Sequence, residues 1–180
     1  MDDLPTLRAR DLVLDPLAPE HAGEAYVAWL KDPDVIRYTE LRAEHATVPA
    51  IRDYISATRA DPRAAIWRIL IDAHGHVGNI RLSGIERDHR RAAVAILIGA
   101  RVCWGEGIAP RAIELLASYA LGAFGLRKLT AGIYASHMRS RRAFEKAGFA
   151  HEASLREHVR CGDGYEDVLQ FARFAERGTL

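Results

Sequence analysis

Between Ile96 and Pro110 the chain reads as an apolar strand, a short loop holding Gly105 and Gly107, and a helix start with Pro110 in its first turn. Proline is tolerated there because the N–H groups of a first turn have no intrahelical acceptor. The free N–H groups of Gly105 to Ala109 therefore converge at a helix end carrying about +0.5 charge from the aligned peptide dipoles. Such an end binds phosphate without needing Lys or Arg. A Walker loop would require Gly-Lys-Ser/Thr after the glycines, and none is present. A dinucleotide fingerprint would require a third glycine where Pro110 stands. It would also require an acid after the next strand, where the chain reads Ala135-Ser136-His137. The alternative reading of the same glycines is a plain strand-to-helix turn.

A second segment follows at the next strand: Tyr134-Ala135-Ser136-His137-Met138-Arg139-Ser140, then Phe144-Glu145-Lys146-Ala147-Gly148-Phe149. With Trp29-Leu30-Lys31-Asp32-Pro33-Asp34-Val35 and Trp104-Gly105-Glu106-Gly107-Ile108-Ala109, in that order and spacing, the chain resembles the GNAT superfamily of acetyl-CoA-dependent N-acetyltransferases. It looks closest to the Rim-type branch, the ribosomal-protein-alanine acetyltransferase-like members. The likeness runs from Leu7 to about Phe174. It implies an α/β (α+β) fold: a mixed, mostly antiparallel sheet with a splayed central parallel pair, flanked by helices.

The resemblance also implies roles. Backbone amides of Trp104, Gly105, Glu106, Gly107, Ile108 and Ala109 would hold the CoA pyrophosphate. Backbone groups of Ile96 and Ile98 would pair with the pantetheine arm, and His137 and Phe144 would line its other side. Some positions depart from the family pattern. The usual Gln or Arg before the loop is Trp104, the usual Asn is His137, and the Thr-Glu after Ala109 is Pro110-Arg111, with Arg111 expected to restore positive charge.

Acetyl transfer to an amine needs an unprotonated nucleophile. For an alkylamine of pKa ~10.4, deprotonation at pH 7 costs about 4.6 kcal/mol, so either a general base or an intrinsically less basic acceptor amine is expected. Glu86 and His89, between two central strands, are the candidates from this sequence; the bland reading of both is a solvated turn, Glu86-Arg87-Asp88-His89-Arg90-Arg91. A Glu that branch members carry nearer the buried strand is Ala93. The departing thiolate needs a proton, and the Tyr that many members carry four residues before the Gly-Phe pair is Phe144, which cannot donate. Tyr134, Ser136 and a water are the nearby alternatives, with Tyr134 the preferred donor. Neither Cys103 nor Cys161 sits in a nucleophilic arrangement with a His and an acid, so direct attack in a ternary complex is expected.

The acceptor pocket is expected between Trp29, Tyr38 and Glu40 on one side and Arg160, Tyr165 and Asp167 on the other. Core packing explains Trp29, and a strand-end contact Asp167, about equally well. The expected acceptor is a small-molecule or peptide primary amine, with a nucleotide-linked amino sugar set ahead of a protein N-terminus. The competing class is a non-catalytic CoA-binding module, suggested by Phe144 and Ala93.

Elements must place these groups. Leu7 to Leu17 suggests an opening strand, Glu20 to Leu30 an amphipathic helix broken by Asp32-Pro33, and Pro49 to Arg59 a second helix. Ile66 to Ile71, Val77 to Glu86 and Ala92 to Ile98 read as three strands, the first two joined by a turn at Asp72-Ala73-His74-Gly75. A long helix from Gly107 to Phe124, a strand at Lys128 to Tyr134, and a helix from Ser140, its expected cap, to Ala147 follow. Strands at Ala150 to Arg160 and Tyr165 to Ala175 close the chain.

Length and composition set the outer bounds. A chain of 180 residues, 49% hydrophobic and 27% charged, is one ordinary globular domain, here expected to span 1–180. Net charge is +1, which gives no global argument for nucleic acid, and the longest apolar run, Ala92 to Ala100, is far below the ~20 residues of a membrane helix. The two cysteines lack CxxC spacing and the histidines lack zinc-ligand spacing, so no metal is expected. A reducing, cytoplasmic setting follows as the expectation; a homodimer is left open.

Overall fold

The computed structural model describes residues 4–40 and 43–176. The apolar opening segment is a hairpin rather than one strand: β1 (Leu7–Ala9) turns at Arg10, whose φ is 55°, into β2 (Leu12–Pro16). The first helical stretch is also divided. Pro19–His21 forms a single 3-10 turn, Gly23 is extended, and α1 (Glu24–Lys31) starts after it. Asp32 ends α1 and also opens α2 (Pro33–Ile36), because its Oδ1 accepts from the Asp34 N–H at 2.9 Å. Thr47 caps α3 (Val48–Ala60) in the same manner, with Pro49 in the first turn.

β3 (Ala65–Ile71), β4 (Gly75–Glu86) and β5 (Arg91–Ile98) form an antiparallel meander. The crossover helix α4 (Ile108–Leu121) leads to β6 (Lys128–Tyr134), then come α5 (Met138–Lys146), β7 (Ala150–Cys161) and β8 (Gly164–Phe174). α5 begins two residues before Ser140. His137 occupies the cap position without a side-chain bond, so the expected Ser140 cap is not used.

The eight strands run in the order β1-β2-β3-β4-β5-β6-β8-β7, with β5 and β6 the parallel pair. Apolar side chains on one face, among them Trp67, Ile80, Leu82 and Leu129, pack with Ile113 and Leu116 of α4. The other face carries Leu17 and Ile66 under Tyr26, Trp29, Ile51 and Ile55 of α1 and α3. The expected mixed sheet with a central parallel pair and flanking helices is therefore present. Among the described residues no helix is long and apolar enough to cross a membrane, and no cluster of His, Cys, Asp or Glu could hold a metal ion.

Candidate functional site

β5 and β6 pair only over Arg91↔Lys128, Ala92↔Leu129 and Ala93↔Thr130, and then diverge. The Gly99 N–H donates to Val77 O at 2.9 Å, which fixes the alternation of the β4–β5 ladder. Val94, Ile96 and Ile98 consequently turn their backbone groups away from β4 and toward the gap. A cleft of about 1910 Å³ occupies this gap and the space beneath α1 to α3. It opens at the carboxyl ends of both parallel strands, the usual ligand side of such a sheet.

At the end of β5 a 3-10 turn, Arg101–Cys103, closes with the Trp104 N–H on Arg101 O. Among the described residues the next five amides, Gly105 to Ala109, have no backbone acceptor. Gly105 (φ 88°) and Gly107 (φ 72°, at the α4 cap) both take the left-handed conformation that makes this turn possible. A Cβ on either would meet nothing within 4 Å, so the loop faces open space. Trp104 stands beside it with its indole Nε1 donating to Ile98 O at 2.9 Å and the Arg101 and Arg139 guanidinium groups 5.5 and 5.7 Å from its ring. Arg111 does not supply the expected charge to this loop: Asp11 holds it at 2.7 Å.

Across the gap, β6 ends at Tyr134 and the chain turns into α5 at His137. Tyr38 stacks on His137 with ring centroids 4.0 Å apart and meets Tyr134 edge-on at 5.9 Å. Burial, with Arg139 and Arg37 nearby, holds the His137 pKa down and keeps the ring neutral at pH 7. Burial and the carboxylates of Glu40 and Glu166 push the Tyr134 phenol up, so it retains its proton. Phe144 is buried against Phe149 and reaches the cleft from α5.

Several expected site residues lie elsewhere. Glu86, the last residue of β4, and His89, in the β4–β5 turn, sit at the start of β5, the closed end of the parallel pair. Glu86 is bound there by Arg91, with both contacts at 3.1 Å, and neither residue lines the cleft. Strand direction separates them from the gap by the length of β5. Trp29 is 8% exposed and packs on Gly99 and on the His76 ring, 4.9 Å away, as a core residue. The β7–β8 hairpin reaches the cleft through Val159 and Val168, whereas Arg160, Tyr165 and Asp167 do not line it. Asp167 instead accepts from the N–H of Glu157, which has φ 48°, and so pins a bulge in β7. Glu106 contributes its backbone amide to the loop, with its side chain exposed. The residues brought together are Tyr38, Glu40, Ile96, Ile98, Trp104, Gly105, Gly107, Ile108, Ala109, Tyr134, His137 and Phe144.

The sequence reading missed a polar group on the floor beneath α1 and α3. Asn79 and Arg81 project from one face of β4, beside Tyr26 and Tyr54. The available signal was a period-2 polar alternation, Asn79, Arg81, Ser83, inside an otherwise apolar strand.

A family model described as an acetyltransferase (GNAT) domain matches residues 11–150. The chain is 28% identical over 158 residues to an uncharacterized N-acetyltransferase, YoaA, of Bacillus subtilis, covering 86% of this chain and 88% of that one. Mycobacterium smegmatis RimJ, solved in complex with CoA-disulfide, superposes with a TM-score of 0.84 at 20% identity, covering 98% of this chain and 88% of RimJ. A Vibrio cholerae spermidine N-acetyltransferase, solved with CoA and spermine, gives 0.83 at 18%, covering 93% and 97%. At these identities the two solved structures are likenesses of fold.

Proposed function

The chain belongs to the acetyltransferase (GNAT) domain family and is an acetyl-CoA-dependent N-acetyltransferase; from that premise we propose that it transfers acetyl to a primary amine by direct attack, with both substrates held in the β5–β6 cleft. The observation that carries this reading is the continuity between the open backbone edge at Ile96 and the five free amides of Gly105 to Ala109. Acetyl-CoA supplies an activated acetyl thioester. The amides from Gly105 to Ala109 hold its diphosphate, the open space above both glycines leaving room for it. The N–H and C=O of Ile96 and the N–H of Ile98 align the arm as a neighbouring strand would, while His137 and Phe144 close its far side.

Two groups serve the proton traffic. Tyr134, protonated at neutral pH, donates to the sulfur. Glu40, a carboxylate on the same wall, attracts the ammonium form of the acceptor and receives its proton, through water where needed. Tyr38, stacked on His137, shields this end from bulk solvent. A route through an acyl-cysteine is disfavoured: burial raises the Cys103 pKa, and a hydrogen bond with Glu166 raises that of Cys161, so neither is a ready thiolate. The acceptor is a primary amine of the nucleotide-linked amino-sugar or protein N-terminal kind.

Calorimetry with acetyl-CoA, followed by free-thiol release with a panel of amines, tests this reading. Heat of association and amine-dependent thiol release are expected. Binding with no turnover on any amine would instead favour a non-catalytic CoA-binding module.

A further inference from the structure

The floor of the cleft beneath α1 and α3 carries the polar side chains of Tyr26, Tyr54, Asn79 and Arg81. Arg81 lines it from β4 and, among the described residues, pairs with no carboxylate. Its NH1 donates to the Tyr54 hydroxyl oxygen at 2.9 Å, which leaves the Tyr54 hydrogen to point elsewhere. Two residues along the same face, Asn79 is 6% exposed. Its Oδ1 lies 3.0 Å from His76 Nε2, and that nitrogen also faces the Gly78 carbonyl at 3.1 Å. A carbonyl can only accept, so Nε2 carries the proton and Asn79 Oδ1 is used as an acceptor. Among the described residues the buried Asn79 amide nitrogen makes no hydrogen bond of full geometry, and the Tyr26 hydroxyl is the group it approaches.

A poorly satisfied buried donor on the same strand face as a guanidinium with no carboxylate partner leaves hydrogen-bonding capacity unused in the free protein. That capacity is taken up when a group with several lone pairs and negative charge arrives, because an anion accepts from all of these donors at once. The position is suited to an acceptor substrate. Arg81 stands directly across from Ala95 in the β4–β5 register, and Ala95 is exposed on the cleft side between Val94 and Ile96.

We propose that Arg81, Tyr54 and Asn79 form an anion subsite, so that the acceptor is an amine that also carries a carboxylate or phosphate group. The anion seats on Arg81 and Tyr54, and its far side is directed toward the Asn79 amide. The amine of the same molecule then lies along β5, toward Tyr134 and Glu40. Polyamines, which are cationic throughout, are disfavoured at this subsite by the charge of Arg81. This assignment rests on the acetyltransferase reading above and narrows its acceptor.

The test uses thiol release by the full-length protein with matched pairs. One arm compares ω-amino carboxylates of two to six carbons with their carboxamides; the other compares an amino-sugar phosphate with the free amino sugar; spermidine serves as the cationic control. The wild type should prefer the anionic member of at least one pair by about tenfold or more in kcat/KM, and the arm that responds identifies carboxylate or phosphate. Arg81→Gln should raise KM for that acceptor about 10- to 100-fold with kcat little changed, abolish the preference, and leave acetyl-CoA affinity as in the wild type. Arg81→Lys should recover part of it. Turnover of neutral or cationic members as fast as anionic ones overturns the anion subsite while the enzyme reading stands. So does an Arg81→Gln variant, folded by its melting temperature, that loses neutral and anionic acceptors equally. Acetyl-CoA binding with no thiol release on any amine overturns the acetyltransferase reading, and this assignment with it.

Discussion

The indole Nε1 of Trp104 donates to the carbonyl of Ile98 at 2.9 Å, tying the Gly105–Gly107 loop to the last residue of the open strand. Strand edge and amide cluster are thereby held in one geometry before any ligand arrives. Preorganisation of this kind lowers the ordering cost of binding.

Trp104→Phe keeps most of the ring contact and removes the donor. A net hydrogen bond of about 1 kcal/mol corresponds to roughly fivefold weaker acetyl-CoA binding, read by calorimetry. Unchanged affinity would show that the loop holds its position without this link.

Gly107→Ala places a Cβ at φ 72°, where a side chain costs about 1–2 kcal/mol. Since a Cβ there meets no neighbour, the effect is backbone strain alone. The melting temperature should fall by several degrees, on the order of 2–4 °C per kcal/mol for this chain length, and acetyl-CoA affinity should fall with it.

Gly99→Ala would drive a Cβ into the Trp29 indole, destabilising the fold by about 1–3 kcal/mol. Paired with Trp29→Ala in a double-mutant cycle, the two losses should be strongly non-additive. Additive losses would remove the core-packing role assigned to Trp29.

Tyr134→Phe should lower kcat by about 100-fold or more while acetyl-CoA affinity is retained, because the ring stays and only the proton donor is lost. With burial and the Glu40 and Glu166 carboxylates raising the Tyr134 pKa, the wild type should show no alkaline loss of activity from this residue until above pH 10. A normal kcat in the variant would transfer the donor role to water or Ser136.

Asp15 links β2 to β3 through Arg68, whose Nε and NH2 donate to its Oδ2 at 2.9 and 2.8 Å. Burial acts to raise the Asp15 pKa, but the bonds from Arg68 and Thr6 outweigh it and leave the value below 3.8. A depressed carboxylate contributes stability that is complete above its unfolded value and disappears as pH falls through its folded value. Asp15→Asn should therefore be less stable than the wild type at neutral pH, by on the order of 1 kcal/mol. The two chains should converge below about pH 3.8 in acid titrations followed by circular dichroism.

Local pattern carried much of this protein. The alternation in Ile66–Ile71, the apolar stripe of α4 and the glycines beside Pro110 each depend on residues within a few positions of one another, and all appear where the spacing places them. The same locality misled at Asp32-Pro33, where a break is also the cap of the next helix, and at Ser140, which lies inside α5.

The sequence by itself determined which segments become strands and helices, and where free amides collect, because backbone geometry and hydrophobic period act over one or two turns. Only the tertiary structure decided which end of the parallel pair opens. That depends on the register of β5 against β6, two strands joined through α4, and no local period encodes it. The opening leaves Glu86 and His89 at the closed end, seats Trp29 in the core, and brings Arg81 beside Tyr54, on the same strand face as the buried Asn79 amide.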